Sequence, residues 1–241
     1  MVVIFGIHAV SEALKSGARS FDYVGVSRER HDQRIQRIIE TCRASGIQLR
    51  FLPREELDRA AKTHTHQGVI AVTSTKQYAD VDVLLENRKG PYSLVVVLDG
   101  IEDPHNLGAL IRTADAMGAD GVVFAGDSVD PYNGKCLRSS AGSIFSLPVV
   151  VDSDATGVVS AILDSGVAVL ATALDATVDL RSADLSARTA WLFGPEAHGL
   201  PAEVAALASQ QVSIPMRGSA ESLNVAAAAA ICLYESARAQ S

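Results

Sequence analysis

Short apolar runs alternate with helical patterns along almost the whole chain, and this alternation narrows the possible folds sharply. Residues 94–98, Leu-Val-Val-Val-Leu, form a continuous apolar run that is typical of a parallel strand buried on both faces. Helical patterns around 106–117, 155–165, 201–208 and 223–238 separate further strand candidates at 121–124, 148–151, 167–171, 189–193 and 211–214. The sequence therefore predicts an α/β fold in which helices cover both faces of a mostly parallel sheet.

The first 73 residues carry a smaller α/β series of their own. Its strand candidates are 23–26, 47–51 and 68–72, and its helical patterns lie around 32–44 and 54–62. Residues 74–92 are polar and end in Gly90-Pro91, a composition that is typical of a linker. We therefore predict two domains, residues 1–75 and 91–241, joined by a linker over residues 76–90.

The two predicted domains differ in charge. Residues 1–90 have 14 Lys and Arg against 11 Asp and Glu, a net of +3, whereas residues 91–241 have 7 against 17, a net of −10. The total of −7 argues against a protein that coats nucleic acid nonspecifically, although the split suits a basic binding domain joined to an acidic catalytic domain. Five arginines have a second interpretation as solvated charges of a helix face: Arg28, Arg30, Arg34, Arg37 and Arg43.

Several common cofactor motifs are absent from the sequence. No G-x-G-x-x-G follows a strand candidate, so neither a nicotinamide dehydrogenase nor a Rossmann-type methyltransferase is indicated. Residues 194–199 have the glycine spacing of a phosphate loop, but Leu200 and Pro201 replace the lysine and hydroxyl residue that an NTPase needs. No His and Cys set has the spacing of metal ligands, and we expect no metal centre.

The cysteines and the apolar segments indicate a cytoplasmic protein. Cys42, Cys136 and Cys232 lie far apart in sequence and are expected to be buried, reduced thiols. The N-terminal residues lack the features of a signal peptide, and no apolar stretch approaches the roughly 20 residues needed to cross a bilayer. We therefore expect no contact with a membrane.

Three blocks in the second half carry a family resemblance. They are LDGIEDPHNLGALIRTADAMGADGVVF (98–124), WLFGPEAHGLP (191–201) and IPMRGSAESLNVAAAAAICLYE (214–235). In order and spacing they resemble the three motifs of the SpoU/TrmH family of SPOUT methyltransferases. FGIHAVSEAL (5–14) and THQGVIA (65–71) resemble the front domain of the ribosomal branch of that family, so the resemblance covers nearly the whole chain.

The resemblance implies a fold and a reaction. The fold is a SPOUT domain with a deep trefoil knot, and it follows a front domain similar to RNA-binding ribosomal proteins. Knots are so rare in proteins that composition alone would not predict one. The implied reaction is S-adenosylmethionine-dependent 2'-O-methylation of a ribose, on a guanosine of 23S ribosomal RNA. The resemblance also implies a homodimer in which two subunits complete each active site.

The first motif contains two candidate catalytic residues. From the pattern alone, Asn106 is an N-cap, and Arg112 is a solvated helix charge because it lies off the apolar stripe. The resemblance implies instead that Asn106 positions the substrate or the arginine, and that Arg112 activates the ribose hydroxyl. Since a guanidinium does not readily lose its proton, we expect Arg112 to stabilise the developing alkoxide, with or without a bridging phosphate that takes the proton.

The second motif contributes Glu196 and Gly194. A surface turn is the simplest interpretation of Glu196 from the pattern, whereas the resemblance implies that it lies in the active site near the subunit interface. Gly194 matches a position that lines the methyl-donor pocket in the family.

The third motif contributes further candidates. Ile214, Met216 and Leu223 match positions of the donor pocket, although their pattern alone indicates core residues. Ser222 and Asn224 open the last helix, where a serine is most simply an N-cap, and the resemblance implies that both belong to the ribose and donor site. Many relatives have a serine where this chain has alanine at position 226, which removes one hydroxyl contact.

Two alternatives to the ribosomal enzyme stay open. The first is a transfer RNA or antibiotic-resistance 2'-O-methyltransferase, because residues 127–142 differ from the pattern expected of the ribosomal branch. The second is a noncatalytic RNA-binding or ribosome-assembly protein. It is the least expected, since all the candidate catalytic residues are present together: Asn106, Arg112, Glu196, Ser222 and Asn224.

Overall fold

The computed structural model describes residues 2–16, 21–29, 32–73, 78–86, 93–195 and 198–240. The front part contains β1 (Val2–Phe5), α1 (Ile7–Ser16), β2 (Phe21–Ser27), α2 (Gln33–Ala44), β3 (Leu49–Leu52), α3 (Arg54–Ala61) and β4 (Val69–Thr73). Its four strands pair in the order β1-β4-β2-β3, with β2 and β3 parallel and the other pairs antiparallel. The predicted strands β2 to β4 and both predicted helices are present, whereas β1 and α1 were not predicted.

The second part is larger and follows helix α4 (Val81–Glu86). Its elements are β5 (Leu94–Asp99), α5 (Pro104–Ala116), β6 (Gly121–Ala125), α6 (Gly134–Ser139), β7 (Val149–Asp152), α7 (Ala155–Asp164), β8 (Ala168–Thr172), β9 (Val178–Asp179), β10 (Thr189–Phe193), α8 (Ala202–Leu207), β11 (Gln210–Ser213) and α9 (Val225–Ala239). Two short 3-10 turns lie at Ser143–Phe145 and Leu180–Ser182. The predicted linker at 76–90 contains α4, whose Leu84 and Leu85 pack into the core on one face of the large sheet.

The large sheet has the strand order β7-β6-β5-β10-β8-β11-β9, and every pair in it is parallel. This confirms the predicted α/β architecture. Every residue of β5 and β10 is buried, which explains why both strands are continuous apolar runs rather than alternating patterns. β6 lies on one side of β5 and β10 lies on the other side. The strand order therefore reverses between β5 and β10. Ligands of open α/β sheets bind beside such a reversal, at the carboxyl ends of the strands.

Helices α5 and α9 pack against each other on one face of this sheet. The buried side of α5 consists of Leu107, Gly108, Leu110, Ile111 and Ala114. A buried hydrogen bond of 2.7 Å, from the Trp191 indole nitrogen to the Ser236 hydroxyl, fixes α9 on β10. The two helices therefore begin close together, near the carboxyl ends of β5 and β10. Within the described ranges, no helix combines the length and the apolar character that a membrane span requires.

Candidate active site

Helix α5 begins immediately after the carboxyl end of β5. Asp103 caps it, with Oδ1 accepting a hydrogen bond of 3.0 Å from the His105 backbone N–H, and Pro104 occupies the first helical turn. The interpretation of Asn106 as the N-cap is therefore wrong. Proline fixes the backbone angle that starts a helix, so the capping position falls on the residue before it. The Asn106 side chain is thereby left available for tertiary contacts.

Helix α9 begins at the same edge of the sheet and is capped by Asn224. Its Oδ1 accepts hydrogen bonds from the backbone N–H groups of Ala226 and Ala227, at 3.0 and 3.4 Å. Its Nδ2 donates to Asn106 Oδ1 at 3.0 Å. Asn224 thus joins the first turns of α5 and α9, and the interpretation of Ser222 as the N-cap is wrong. A serine hydroxyl offers fewer bonding positions than an amide that caps and bridges at once.

A cavity of about 350 Å³ lies beside this pair of helix starts. It is lined by four residues that sequence analysis assigned to the donor pocket and by one that it assigned to catalysis, namely Gly194, Ile214, Met216, Leu223 and Ser222. Met216 and Leu223 are 38% and 37% exposed, so the pattern-based interpretation of them as core residues is wrong. Apolar side chains that face an open cavity are suited to an organic ligand.

Gly194 has a steric reason to be glycine. A Cβ atom at this position would lie 2.7 Å from the Leu200 backbone nitrogen and 2.9 Å from the Gly199 carbonyl carbon. Such distances are shorter than side chains tolerate, so the loop after β10 closes this tightly only on a glycine. At Gly194 the loop therefore presents backbone atoms to the cavity, and its neighbours Pro195, His198 and Leu200 also line the cavity.

Sequence analysis missed part of the cavity wall. Thr172, Ala173 and Leu174 line it from the end of β8, the strand that pairs with β10, and Leu174 is 70% exposed. A signal for them existed, because the predicted strand at 167–171 ends here and parallel strands bring their carboxyl ends to one edge. The order of the strands was unknown from the sequence, so their adjacency to the second motif was also unknown.

Arg112 is exposed on α5 and points away from the buried stripe of the helix. It lies six residues after Asn106, which places it about 9 Å further along the helix axis and on a different side. Arg112 is absent from the described lining of the cavity, and no described residue forms an ion pair with it. Within one chain, the structure thus brings Asn106, Asn224 and Ser222 to the cavity edge and leaves Arg112 apart. Glu196 lies outside the described residues.

Asp99 is a buried carboxyl that sequence analysis did not select. It ends β5, is 5% exposed, and its Oδ2 atom has no hydrogen-bond partner among the described residues. Burial, and secondarily the nearby carboxylate of Asp127, raises the pKa of Asp99 above its usual range. The buried environment thus disfavours the charged form of Asp99, at the edge of the sheet where the candidate site lies.

The cavity is lined by hydroxyls, backbone groups, apolar side chains and the exposed imidazole of His198, and the amides of Asn106 and Asn224 lie at its edge. Among the described residues, no group of three or more His, Cys, Asp or Glu is placed to hold a metal ion. The three cysteines are buried, and burial raises the pKa of Cys42 to about 11 and those of Cys136 and Cys232 to about 12. Their thiols are therefore protonated and unreactive near neutral pH.

Comparison with known proteins agrees with this geometry. Residues 93–234 match the model of the SpoU rRNA Methylase family, and residues 3–79 match that of RNA 2'-O ribose methyltransferase substrate binding. The 23S rRNA (guanosine-2'-O-)-methyltransferase RlmB of Ralstonia nicotianae is 35% identical over 240 residues, which cover 99% of this chain and 96% of the relative.

Solved structures give the same result. The SpoU methyltransferase AviRb of Streptomyces viridochromogenes, in complex with the cofactor AdoMet, has a TM-score of 0.84 and 31% identity, covering 98% of this chain and 89% of that one. An AdoMet-bound rRNA methyltransferase of Sinorhizobium meliloti has a TM-score of 0.81 and 28% identity, with coverage of 98% and 87%. This chain therefore belongs to the SpoU rRNA methylase family. It is an enzyme of the RNA 2'-O-ribose methyltransferase class, with the SPOUT fold.

Proposed function

We propose that this protein transfers a methyl group from S-adenosylmethionine to the ribose 2'-hydroxyl of a guanosine in 23S ribosomal RNA. The observation that carries the proposal is the cavity beside the Asn106–Asn224 hydrogen bond, lined by residues of the second and third motifs. The near full-length similarity to a 23S rRNA guanosine methyltransferase supports the choice of substrate. The reaction takes place in the cytoplasm, where ribosomal RNA is available.

The residues of the cavity fit the methyl donor. S-adenosylmethionine supplies a methyl group on a positively charged sulfur, and no metal ion is needed for its transfer. Ile214, Met216 and Leu223 form an apolar wall that excludes water, and the tight turn at Gly194 offers backbone groups for polar contacts. The volume of about 350 Å³ lies within the range of small-molecule sites.

The acceptor ribose binds at the edge of the cavity near Asn106. Asn224 orients the Asn106 amide, and Ser222 supplies a hydroxyl at the same edge. A ribose 2'-hydroxyl is a weak acid, so the reaction needs a group that stabilises negative charge on its oxygen. Arg112 performs this role, and Glu196 of the second motif is assigned to the same site. No described contact joins Arg112 to the cavity of its own chain, so we assign it to the site of a second copy.

This assignment requires a homodimer. The outward side of α9 carries Ile231 and Tyr234, which are 38% and 55% exposed. They are three residues apart and so lie on the same side of α9, the helix that packs against α5. Large apolar side chains exposed together are typical of an interface. We propose that two copies pair through α5 and α9, and that the chain beyond β8 forms the trefoil knot of the family.

The substrate is tested by methyl transfer in vitro. The purified protein is incubated with tritiated S-adenosylmethionine and either 23S ribosomal RNA or transfer RNA from cells that lack its gene, and methylated positions are mapped. We expect a single guanosine of 23S RNA to gain a 2'-O-methyl group. Methylation of transfer RNA alone would refute the ribosomal substrate, and donor binding without transfer to any RNA would refute the enzymatic function.

A further inference from the structure

A groove of about 750 Å³ lies between the front domain and the second domain. On the front side it is bordered by β1 and by the end of α3, including Lys62. On the other side it is bordered by the start of α6, with Lys135 and Arg138, and by Pro104 at the start of α5. The groove therefore reaches the helical turn that holds Asn106. The donor cavity is lined by Leu223 and Val225, the neighbours of Asn224, which donates a hydrogen bond to Asn106 in that turn.

The wall of the groove formed by α6 is fixed on α5. The Ser139 hydroxyl donates a hydrogen bond of 3.1 Å to the Pro104 carbonyl oxygen. A Cβ atom at Gly108 would lie 1.8 Å from the Ser139 hydroxyl oxygen, so the two helices meet as closely as their backbones allow. Lys135 follows the α6 cap Asn133, whose Oδ1 accepts the Lys135 backbone N–H at 3.0 Å. The backbone of Lys135 is therefore held at a set position relative to the start of α5.

Arg138 connects this wall to the front domain. Its guanidinium donates a hydrogen bond of 3.1 Å to the Thr65 hydroxyl and lies 5.3 Å from the centre of the Phe5 ring. Both partners are uncharged, so the positive charge of Arg138 is not neutralised by them. The groove thus crosses the domain boundary with its two sides joined.

Positive charge is concentrated in this groove although the second domain is acidic. Among the described cations of that domain, Arg181 pairs with Asp179 and Arg238 pairs with Glu235. No described residue forms an ion pair with Lys135. Against its three cations, the described lining of the groove has one carboxylate, Asp130, whose Oδ1 accepts the Tyr132 backbone N–H.

Lys62 occupies a backbone position that does not favour a lysine. It follows the last residue of α3 with a φ angle of +52°, in the left-handed region where glycine or asparagine usually ends a helix. A lysine there carries a conformational cost that glycine avoids. Its side chain is exposed and borders the groove, so its charge is available to a ligand there.

We propose that this groove binds the sugar-phosphate backbone of the single-stranded RNA next to the target nucleotide, with Lys62 and Lys135 contacting phosphates on opposite walls. Arg138 is a positioning residue that holds the two walls together. A strand lying in the groove ends at Asn106, which places one ribose at the edge of the donor cavity. This inference rests on the proposed methylation of RNA and specifies where the strand beside the reacting nucleotide lies.

The proposed contacts of Lys62 and Lys135 with phosphates are tested with variants that remove one or both of these positive charges. Lys62→Gly, Lys135→Gln and their double variant are compared with wild type and with Arg181→Gln, which removes an exposed charge at the opposite edge of the sheet. Affinity for a 23S ribosomal RNA transcript and for a short single-stranded RNA is measured over a range of salt concentrations. Donor affinity and thermal unfolding are measured on the same samples.

We expect the double variant to bind RNA about tenfold more weakly, since two charged contacts are lost. The slope of log affinity against log salt should fall by about 0.7 for each lost phosphate contact to a single strand. Lys62→Gly should unfold at the same or a higher temperature, because glycine suits its φ angle. Wild-type RNA affinity and salt slope in the double variant would overturn the proposal, as would an equal loss in Arg181→Gln.

A crosslink locates the strand independently. A Lys135→Cys variant is labelled with a photoreactive maleimide, and the three native cysteines do not compete because all are buried with raised pKa values. We expect crosslinks within a few nucleotides of the methylated ribose, whereas crosslinks only at remote positions would contradict the groove. If wild type fails to methylate 23S RNA, the proposed substrate fails, and the short single-stranded RNA still decides whether the groove binds RNA.

Discussion

Arg112 contributes to chemistry rather than to folding if the proposed site is correct. Its side chain is exposed, and the buried side of α5 is formed by other residues. A guanidinium keeps its proton at any pH at which the protein is folded, so it cannot accept the proton of the ribose hydroxyl. It can stabilise the oxygen as negative charge develops there, and its planar arrangement of donors also suits a neighbouring phosphate.

Replacing Arg112 with alanine is expected to lower the methyl transfer rate by about a hundred- to a thousandfold, as the loss of one charge-stabilising donor does in other enzymes. Donor affinity and thermal stability should stay at wild-type values. Arg112→Lys should recover little activity, because a point charge cannot reproduce the planar fork. Single-turnover transfer measures the rate, and Arg181→Ala controls for the loss of an exposed arginine. A fall of less than tenfold in the transfer rate would show that Arg112 is only a solvated charge on α5.

Asn224 performs two separable tasks. Its Oδ1 caps α9, and its Nδ2 donates to Asn106. Aspartate retains the capping oxygen and favours a helix N-terminus, but it has no N–H to donate. Asn106 would then have to turn its amide over to keep a hydrogen bond.

We expect Asn224→Asp to keep the free energy of unfolding within about 0.5 kcal/mol of wild type, since the cap remains. The transfer rate should fall by about tenfold, because the Asn106 amide is reversed in the site. Asn224→Ala should lose both the rate and about 1 kcal/mol of stability. Urea unfolding and single-turnover transfer on both variants separate the two tasks. Equal rates for Asn224→Asp and wild type would contradict the proposed orientation of Asn106.

The helix caps show what local sequence does not determine. Asp103 and Asn106 near α5, and Ser222 and Asn224 near α9, are all good capping residues with similar propensities. The pattern placed each cap within three residues but selected the wrong one both times. The choice depends on Pro104 in one case and on the contact with Asn106 in the other. A tertiary contact between residues 118 positions apart is not visible in local sequence.

At the scale of elements, the buried strands of the large sheet were predictable, whereas α6 and β9 were not. β5 and β10 are apolar throughout because both faces of the sheet are covered by helices, so their runs stood out in the sequence. α6 has six residues and β9 has two, too few for a hydrophobic period to appear. The strand order was also unpredictable from periodicity, because pairing in a parallel sheet depends on crossovers distant in sequence.

The end of β5 contains the buried carboxyl of Asp99, and this makes stability depend on pH. Because the folded pKa is raised, the folded state holds a proton that the unfolded state loses as pH rises above its usual pKa of 3.8. The contribution of Asp99 to the free energy of unfolding is therefore complete at low pH. It is lost as pH rises through the folded pKa. Above that pH, the charge is buried without a partner among the described residues.

Asp99→Asn should accordingly be more stable than wild type at pH 8, and the difference should shrink as pH falls. The stability of both proteins is measured by urea unfolding at several pH values from about 4, near the usual pKa of 3.8, up to 8. Asp127→Asn is the matched control: it removes the secondary cause of the raised pKa and should move the pH dependence of wild type to lower pH without abolishing it. If the free energies of unfolding of Asp99→Asn and wild type change with pH in parallel, ionisation of Asp99 does not destabilise the folded state.

At the scale of the whole molecule, the proposed dimer determines how the site is completed. Arg112 on α5 and Lys135 on α6, which packs against α5, are exposed cations of the acidic second domain, although the domain as a whole would repel RNA. The donor cavity and Arg112 belong to different parts of one chain's surface. A twofold dimer through α5 and α9 would bring the cavity of one copy to the arginine of the other, and a twofold interface creates two such sites at once.

Two inactive variants should therefore restore activity when they share a dimer. Arg112→Ala lacks the charge but keeps the cavity, whereas Leu223→Asp puts a carboxylate into the cavity and keeps the arginine. Because Leu223 is 37% exposed, the fold should tolerate the change to aspartate. When equal amounts of the two variants are mixed and allowed to exchange subunits, about half of the dimers contain one copy of each. Each of these mixed dimers has one complete site out of two, so about a quarter of wild-type activity should return. Tyr234→Asp, placed on the outward side of α9, should abolish both dimerisation and the recovery. Native mass spectrometry measures the mixed dimers, and if they form without any recovery of methyl transfer, Arg112 and the cavity must act within the same chain.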